Sequence, residues 1–289
     1  MTTNKEHKKL SVDTHSKAFF TGGKFNWKKS EAEVWSNIEA IVDVKPAGRS
    51  LSFNFRKVSF AIAAAFLLLI GVGSFLRFYQ ITIKTPVGEH QLAQLPDGST
   101  INLNAESTLK YNPYWWKFKR EIHFEGEAYF EVEKGKKFSV ISEKGIVQVL
   151  GTSFNIFARN EIYKVTCITG SVKVRSTTDE IVVLKPNSKA QIHSNGTIAV
   201  LHDIETYPEI SWKNNLFLFT AVPIREVFYE IERQFGITIK TNMNTYALYT
   251  GNFSRDLDVE DVLSYVCPAL GLDYTRKSAK EFVIFQVKE

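Results

Sequence analysis

The sequence predicts a single transmembrane helix, then an all-β domain of the sandwich or roll type, then a small α+β domain. Three observations carry this. Residues 58–76, VSFAIAAAFLLLIGVGSFL, run nineteen positions without a charge. From Ile81 to about Leu201, apolar residues alternate with polar ones at the period of a strand with one buried face. Beyond residue 208, two apolar stripes at helical spacing sit among short strand-type runs.

The uncharged run comes first. A bilayer core roughly 30 Å thick needs about 20 apolar residues at the helical rise. Val58 opens the run, Leu67, Leu68 and Leu69 form its centre, and Leu76 closes it. A buried core helix breaks such a run with polar positions at helical spacing, and this one is apolar all round. A signal peptide carries its apolar region earlier and shorter, ending at a small-residue cleavage site, so a retained span is expected. Lys45, Arg49, Arg56 and Lys57 precede the run, against Arg77 and Lys84 after it. Positive residues favour the cytoplasmic side, which puts residues 1–57 inside and the rest outside.

The inner arm carries eleven Lys and Arg against six Asp and Glu, which accounts for the whole net charge of +5. That suits a segment beside an anionic leaflet and argues against nucleic-acid binding. Residues 1–24 read as a polar tail. Ser30 and Glu33 then form a capping box, in which each satisfies an orphan backbone donor of the other at a helix start. Val34, Trp35, Ile38, Ile41 and Val42 follow as one apolar stripe, ended by Pro46, Gly48 and Ser50. A helix this short cannot bury its own stripe and needs a surface. The bilayer interface is one candidate. A groove on a cytoplasmic partner is the other, with Trp27 and Trp35 as anchors.

In the first outer domain, pairs such as Ile101/Leu103, Ile122/Phe124, Phe130/Val132, Phe138/Val140, Val147/Val149, Phe154/Ile156, Val165/Cys167 and Val172/Val174 mark strands with one buried face. Turn signals recur at Pro96-Asp97-Gly98, Gly126, Gly135, Lys144-Gly145, Gly151, Gly170, Pro186-Asn187 and Asn195-Gly196. Many short strands so spaced point to a sandwich or roll. Catalytic signals are weak. Glu131 and Glu133 alternate with Phe130 and Val132, so with Glu125 and Glu127 they read as a solvated strand face. His90, His123, His193 and His202 lack metal or triad spacing. Cys167 and Cys267 fall at apolar positions of separate segments and read as buried thiols, not as a bridge. No cofactor, metal site or nucleophile–base pair is expected, and the chain does not read as an enzyme.

A series of motifs then carries a resemblance: Leu95-Pro96-Asp97-Gly98-Ser99; Leu103-Asn104-Ala105 with Ser107 and Leu109; Arg120 followed by Phe124-Glu125-Gly126-Glu127-Ala128-Tyr129-Phe130-Glu131-Val132; Val149-Leu150-Gly151-Thr152-Ser153-Phe154-Asn155-Ile156; and Gly170-Ser171-Val172-Lys173-Val174. In order and spacing it resembles the FecR family of membrane-bound regulators of extracytoplasmic-function sigma factors. The glycines sit where turns are needed and the apolar letters alternate, so the motifs read as scaffold.

In the C-terminal part, residues 204–208 read as a linker and 212–219 as a strand. Pro223 opens a helix whose face is Ile224, Val227, Phe228, Ile231 and Phe235, and Gly236 closes it. Strands are expected at 237–240 and 249–253. Asp258 and Asp261 cap a second helix bearing Val259, Val262, Leu263, Val266 and Leu270. Gly271 ends that helix, and residues 272–274 with 282–286 form a hairpin. The expected order is β-α-β-β-α-β-β. Pro223-Ile224, Gly236-Ile237, Gly251-Asn252-Phe253 and the run from Leu257 to Leu263 are similar to the short signalling domains of secretins and TonB-dependent receptors. They also resemble the C-terminal domain of FecR-like proteins of gut and environmental Bacteroidetes. Pro268 departs from that pattern and should kink or end the second helix.

The expected partition is an arm at 1–57, a span at 58–76, a β domain at 81–203 and an α+β module at 209–289. The resemblance implies an inner-membrane regulator with a cytoplasmic arm and periplasmic domains. Its implied partners are a sigma factor inside, the signalling domain of a TonB-dependent receptor outside, and intramembrane or site-specific proteases. Trp27, Val34, Trp35, Ile38 and Ile41 are the expected sigma-factor contacts. An arm of this size is too small to enclose a sigma factor, so it would act as a helix-in-groove clamp or as an activator fragment. A second class is an envelope-binding module using Tyr114-Trp115-Trp116 to stack on glycan rings, the bland counterpart being that these rings fill a gap next to the core. With Lys117 and Lys119, the same run suggests a membrane-surface contact.

Overall fold

The structure, a computed structural model, describes residues 28–42, 55–159, 161–241 and 247–287. Trp27, one of the expected sigma-factor contacts, lies outside them. Helix α1 (Glu31–Val42) starts immediately after Ser30, whose carbonyl accepts from the backbone N–H of Glu33 and Val34 at 3.0 and 3.1 Å. Helix α2 (Phe55–Phe78) extends the apolar run by three residues upstream and two downstream. Its 24 residues are long enough to cross a membrane, with a mean hydropathy of 2.3 over the most apolar window and no residue buried. A soluble core helix would instead be covered by the rest of the fold.

Thirteen strands follow: β1 (Ile81–Thr85), β2 (Gln91–Gln94), β3 (Thr100–Leu103), β4 (Ser107–Tyr111), β5 (Arg120–Glu131), β6 (Phe138–Ile141), β7 (Gly145–Val149), β8 (Ser153–Arg159), β9 (Ile162–Thr169), β10 (Val172–Ser176), β11 (Ile181–Leu184), β12 (Ser188–Ile192) and β13 (Ile198–Leu201). This is a large, mostly β domain. Its organiser is β5, which pairs with β4 and, in parallel, β6 through its first half, and with β3 and β8 through its second. The sheet order β11-β10-β7-β6-β5-β8-β9-β12-β13 therefore passes through it.

The turn expected at Gly126 is not formed. The strand continues through that residue at a φ of 111°, and a Cβ there would lie 2.4–2.7 Å from Ser107. Glycine is the residue that lets one strand serve both halves. Apolar residues from both halves, among them Leu109, Val140, Val147 and Val174, and Ile101, Ile156, Val165 and Ala190, share one core.

The C-terminal part begins differently from the expectation. Residues 204–208 are not purely a linker, because the short helix α3 (Tyr207–Ile210) starts there, and Ser211–Asn214 continues as a 3-10 turn. Asn215 closes that turn at φ 57°, so strand β14 (Leu216–Pro223) starts four residues later than expected, and Trp212 points into the core. Helix α4 (Ile224–Phe235) ends at Gly236 in the left-handed conformation, as its sequence requires. Strands β15 (Thr238–Thr241) and β16 (Leu248–Ser254) precede helix α5 (Val259–Val266). Asp258 occupies the N-cap position, but its side chain makes no capping bond. Pro268 ends the helix, opening a 3-10 turn before the hairpin of β17 (Leu272–Ser278) and β18 (Glu281–Gln286). A second core forms here around Ile224, Val227, Ile231, Val262, Leu263 and Phe282.

Candidate partner surfaces and the domain seam

On α1, Trp35, Ile38 and Ile41 are exposed, Trp35 to 59% and Ile41 to 74%, while Val34 is half-buried. Cys167 lies in the first core and Cys267 in the second, and both are free thiols. Glu125, Glu131 and Glu133 lie on the solvated face. Of the rings Tyr114, Trp115 and Trp116, the first is exposed and the second half-buried, while Trp116 is 4% exposed and packs edge-on to Tyr111 and Phe138 at 5.6 and 5.8 Å. It fills a gap beside the core. Among the described residues, no group of three or more His, Cys, Asp or Glu is placed to hold a metal.

Glu127 departs from the sequence reading: it is buried, not solvated. At Glu127, α4 side chains approach β5, and a polar network fills the seam between the β domain and the C-terminal domain. Asn104 and Asn155 each donate an amide N–H to the Glu127 carboxyl, at 2.8 and 3.0 Å. From α4, the Gln234 amide donates to Asn104 Oδ1 at 2.8 Å and to Glu230 Oε1 at 2.7 Å, and Gln234 Oε1 accepts from His90 Nε2 at 3.0 Å. Arg233 pairs with Glu230 at 2.6 Å and reaches across to Glu106 at 3.2 Å. Arg159 donates to the carbonyl of Ala105 at 2.5 Å. Apolar contacts continue the seam, since Tyr129 of β5 belongs to the second core and Lys213 sits 3.6 Å above its ring.

The electrostatics follow from burial. Desolvation, helped by the Glu230 charge, pushes the Glu127 carboxyl up to about 7, against the pull of Arg159 and the two asparagines. Burial and the neighbouring Arg233 lower Arg159 to about 10, which leaves it charged at neutral pH. Burial also lowers His90, opposed by its bond to Gln234. Removing one member of such a network leaves the others buried and unpaired.

Beside the seam opens a cleft of about 720 Å³, bounded by β14 and by Lys164, Lys189 and Gln191 of the β domain. Strand β14 pairs with β16 on one edge, and its residues Phe217, Phe219 and Val222 line the cleft.

Comparison with known proteins adds two family matches. Residues 81–173 match the model described as FecR protein, and residues 216–284 match the one described as FecR, C-terminal. Two crystal structures of a candidate anti-sigma factor from Parabacteroides distasonis are similar in fold. They share 27% identity with this chain, at TM-scores of 0.67 and 0.66. The match covers 73% and 72% of this chain and the whole of each of theirs. Among curated proteins, none matches.

Proposed function

The chain belongs to the FecR family, and from that premise we propose that it is a single-pass inner-membrane signal transducer that acts as an anti-sigma factor. The observation that supports this best is the order of its parts: an unburied apolar helix, the FecR match, and the FecR C-terminal match. The likeness to a candidate anti-sigma factor covers 73% of this chain. In this reading residues 1–57 are cytoplasmic, 58–76 span the membrane, and 81–203 and 209–289 form two periplasmic domains. An extracytoplasmic-function sigma factor docks on the stripe of Trp27, Val34, Trp35, Ile38 and Ile41. The signalling domain of a TonB-dependent receptor engages the C-terminal domain, where the open edge of β14 is suited to strand addition. The signal then passes through the span by proteolysis or by a change in assembly.

Co-purification tests the inner half of this reading. Truncating a desolvated aromatic anchor costs ~2 kcal/mol or more, roughly a thirtyfold loss of affinity. Trp35→Ala should therefore weaken sigma-factor recovery with the full chain from solubilised membranes, while Lys29→Ala leaves it unchanged. Unchanged recovery with Trp35→Ala, together with release of the arm from liposomes, would make α1 an interfacial anchor instead. A reporter active only in the periplasm, fused after Glu289 or before Met1, tests the orientation.

A further inference from the structure

We propose that residues 112–119, the loop between β4 and β5, form a second membrane contact that seats the β domain on the lipid surface where α2 emerges. The inference rests on the reading that α2 crosses the bilayer. The loop is fastened at both ends. On the domain side Trp116 is locked into the core. On the helix side the Asn112 amide donates to the carbonyls of Leu76 and Arg77, at 3.0 and 2.8 Å. Those are two of the carbonyls that a helix end leaves without an internal partner. Asn112 Oδ1 in turn accepts from the backbone N–H of Tyr114 and Trp115, at 3.0 and 2.9 Å, which sets the loop's conformation.

This attachment fixes the depth of the loop. The Tyr114 ring lies 6.3 Å from Phe75 and 5.4 Å from Tyr79, residues one helical turn apart, so it stands level with the end of the apolar run. Arg77, the first charge after that run, lies 5.2 Å from the Trp115 ring, and Trp115 packs on Phe118 at 4.8 Å. Any bilayer that covers α2 up to Leu76 therefore reaches this loop. The loop is built for that level: Tyr114 and Phe118 are exposed, Phe118 to 75%, and they continue the exposed surface of Phe75, Phe78 and Tyr79. Aromatic rings are favoured at the boundary between acyl chains and headgroups. Lys117 and Lys119 are exposed on the same loop; Lys119 pairs with Glu121 at 2.7 Å, and the Lys117 ammonium can meet phosphates. An apolar ring cluster flanked by lysines and joined to the helix exit fits a lipid surface in composition and position.

Spin labels at introduced cysteines test this in the full-length protein, reconstituted into vesicles of phosphatidylethanolamine and phosphatidylglycerol. The native Cys167 and Cys267 are buried and remain unlabelled. Labels are placed by Phe118→Cys, by Leu68→Cys in the middle of α2, and by Lys277→Cys at an exposed position of the β17–β18 hairpin. Collisions with oxygen, which concentrates among acyl chains, are compared with collisions with a water-soluble nickel chelate. The expected result is that oxygen dominates at position 68, and at position 118 to a smaller degree, while the chelate dominates at 277. A label at 118 that behaves like the one at 277, with 68 still in the acyl region, overturns the proposal and leaves the span intact. It would also assign the exposed rings to a protein partner. Chelate access at 68 would show instead that the span reading itself has failed, and the proposal with it.

Discussion

Replacing Glu127 by Gln isolates the cost of burying a charge in the seam. The Glu127 carboxyl rises from an ordinary 4.5 to about 7, with desolvation the main cause. Its folded pKa is above the unfolded one, so the folded protein takes up the proton first as the pH falls. Stability is then gained as the pH falls through about 7 and lost as it rises again. At 1.36 kcal/mol per unit, the wild type should lose about 2 kcal/mol relative to the neutral amide between about pH 5.5 and about pH 8.5. His90 works the other way. Its pKa is lowered, so the unfolded chain protonates first and stability falls as the pH drops through its ordinary 6.5. Because His90, Glu230, Arg159, Arg233, Glu106 and Arg255 are present in both proteins, their contributions largely cancel in the difference.

The neutral amide fits the site. Among the described residues, Asn155 Oδ1 is buried without a hydrogen-bond partner, so turning the Asn155 amide gives the new NH₂ an acceptor. A protonated Glu127 would find the same acceptor. Urea unfolding of the full-length protein in micelles, followed by tryptophan fluorescence at several pH values, measures the difference, with equal slopes confirming comparable transitions. Glu127→Gln should match the wild type most closely in acid and exceed it at alkaline pH. Parallel pH profiles would refute the reasoning, because they would mean Glu127 stays ionised throughout and its bonds to Asn104 and Asn155 outweigh desolvation.

Other outcomes follow from particular contacts. Gly126→Ala places a Cβ 2.6 Å from the Ser107 Cα at a φ of 111°, and should lower stability by ~3 kcal/mol or more in the same unfolding assay. Gln234→Ala removes the link between His90, Asn104 and Glu230, and should cost ~2 kcal/mol and speed proteolytic cleavage between the two domains. Burial pushes the Cys167 and Cys267 thiols up to about 11 and about 12. Neither should react with maleimide at neutral pH until the protein is unfolded, and non-reducing electrophoresis should show no Cys167–Cys267 link.

Much of the fold is written locally, and the seam is not. Helix α2 is legible because its composition matches the bilayer without reference to any other residue. The strands are legible because Ile101 and Leu103, or Val172 and Val174, alternate against one core. Glu127 has the same strand parity as Glu125 and Glu131, which remain exposed, so alternation alone assigns all three to solvent. Only the arrival of α4, about a hundred residues later in the chain, covers one of them and not the others. The available hint was Tyr129, an aromatic on the outward face among glutamates, which belongs to the second core. On α4 the apolar stripe announced one buried face, yet Glu230, Arg233 and Gln234 on another are buried as well. Asn104, Glu127 and Asn155 are polar letters of the very motifs that carry the FecR resemblance, and the fold brings them together under Gln234 and Glu230. Those motifs therefore encode more than a scaffold, because they specify the surface on which the C-terminal domain docks. The polar motif residues thus join the β domain to the C-terminal domain, while Asn112 joins the β domain to the carbonyls of Leu76 and Arg77 at the end of α2.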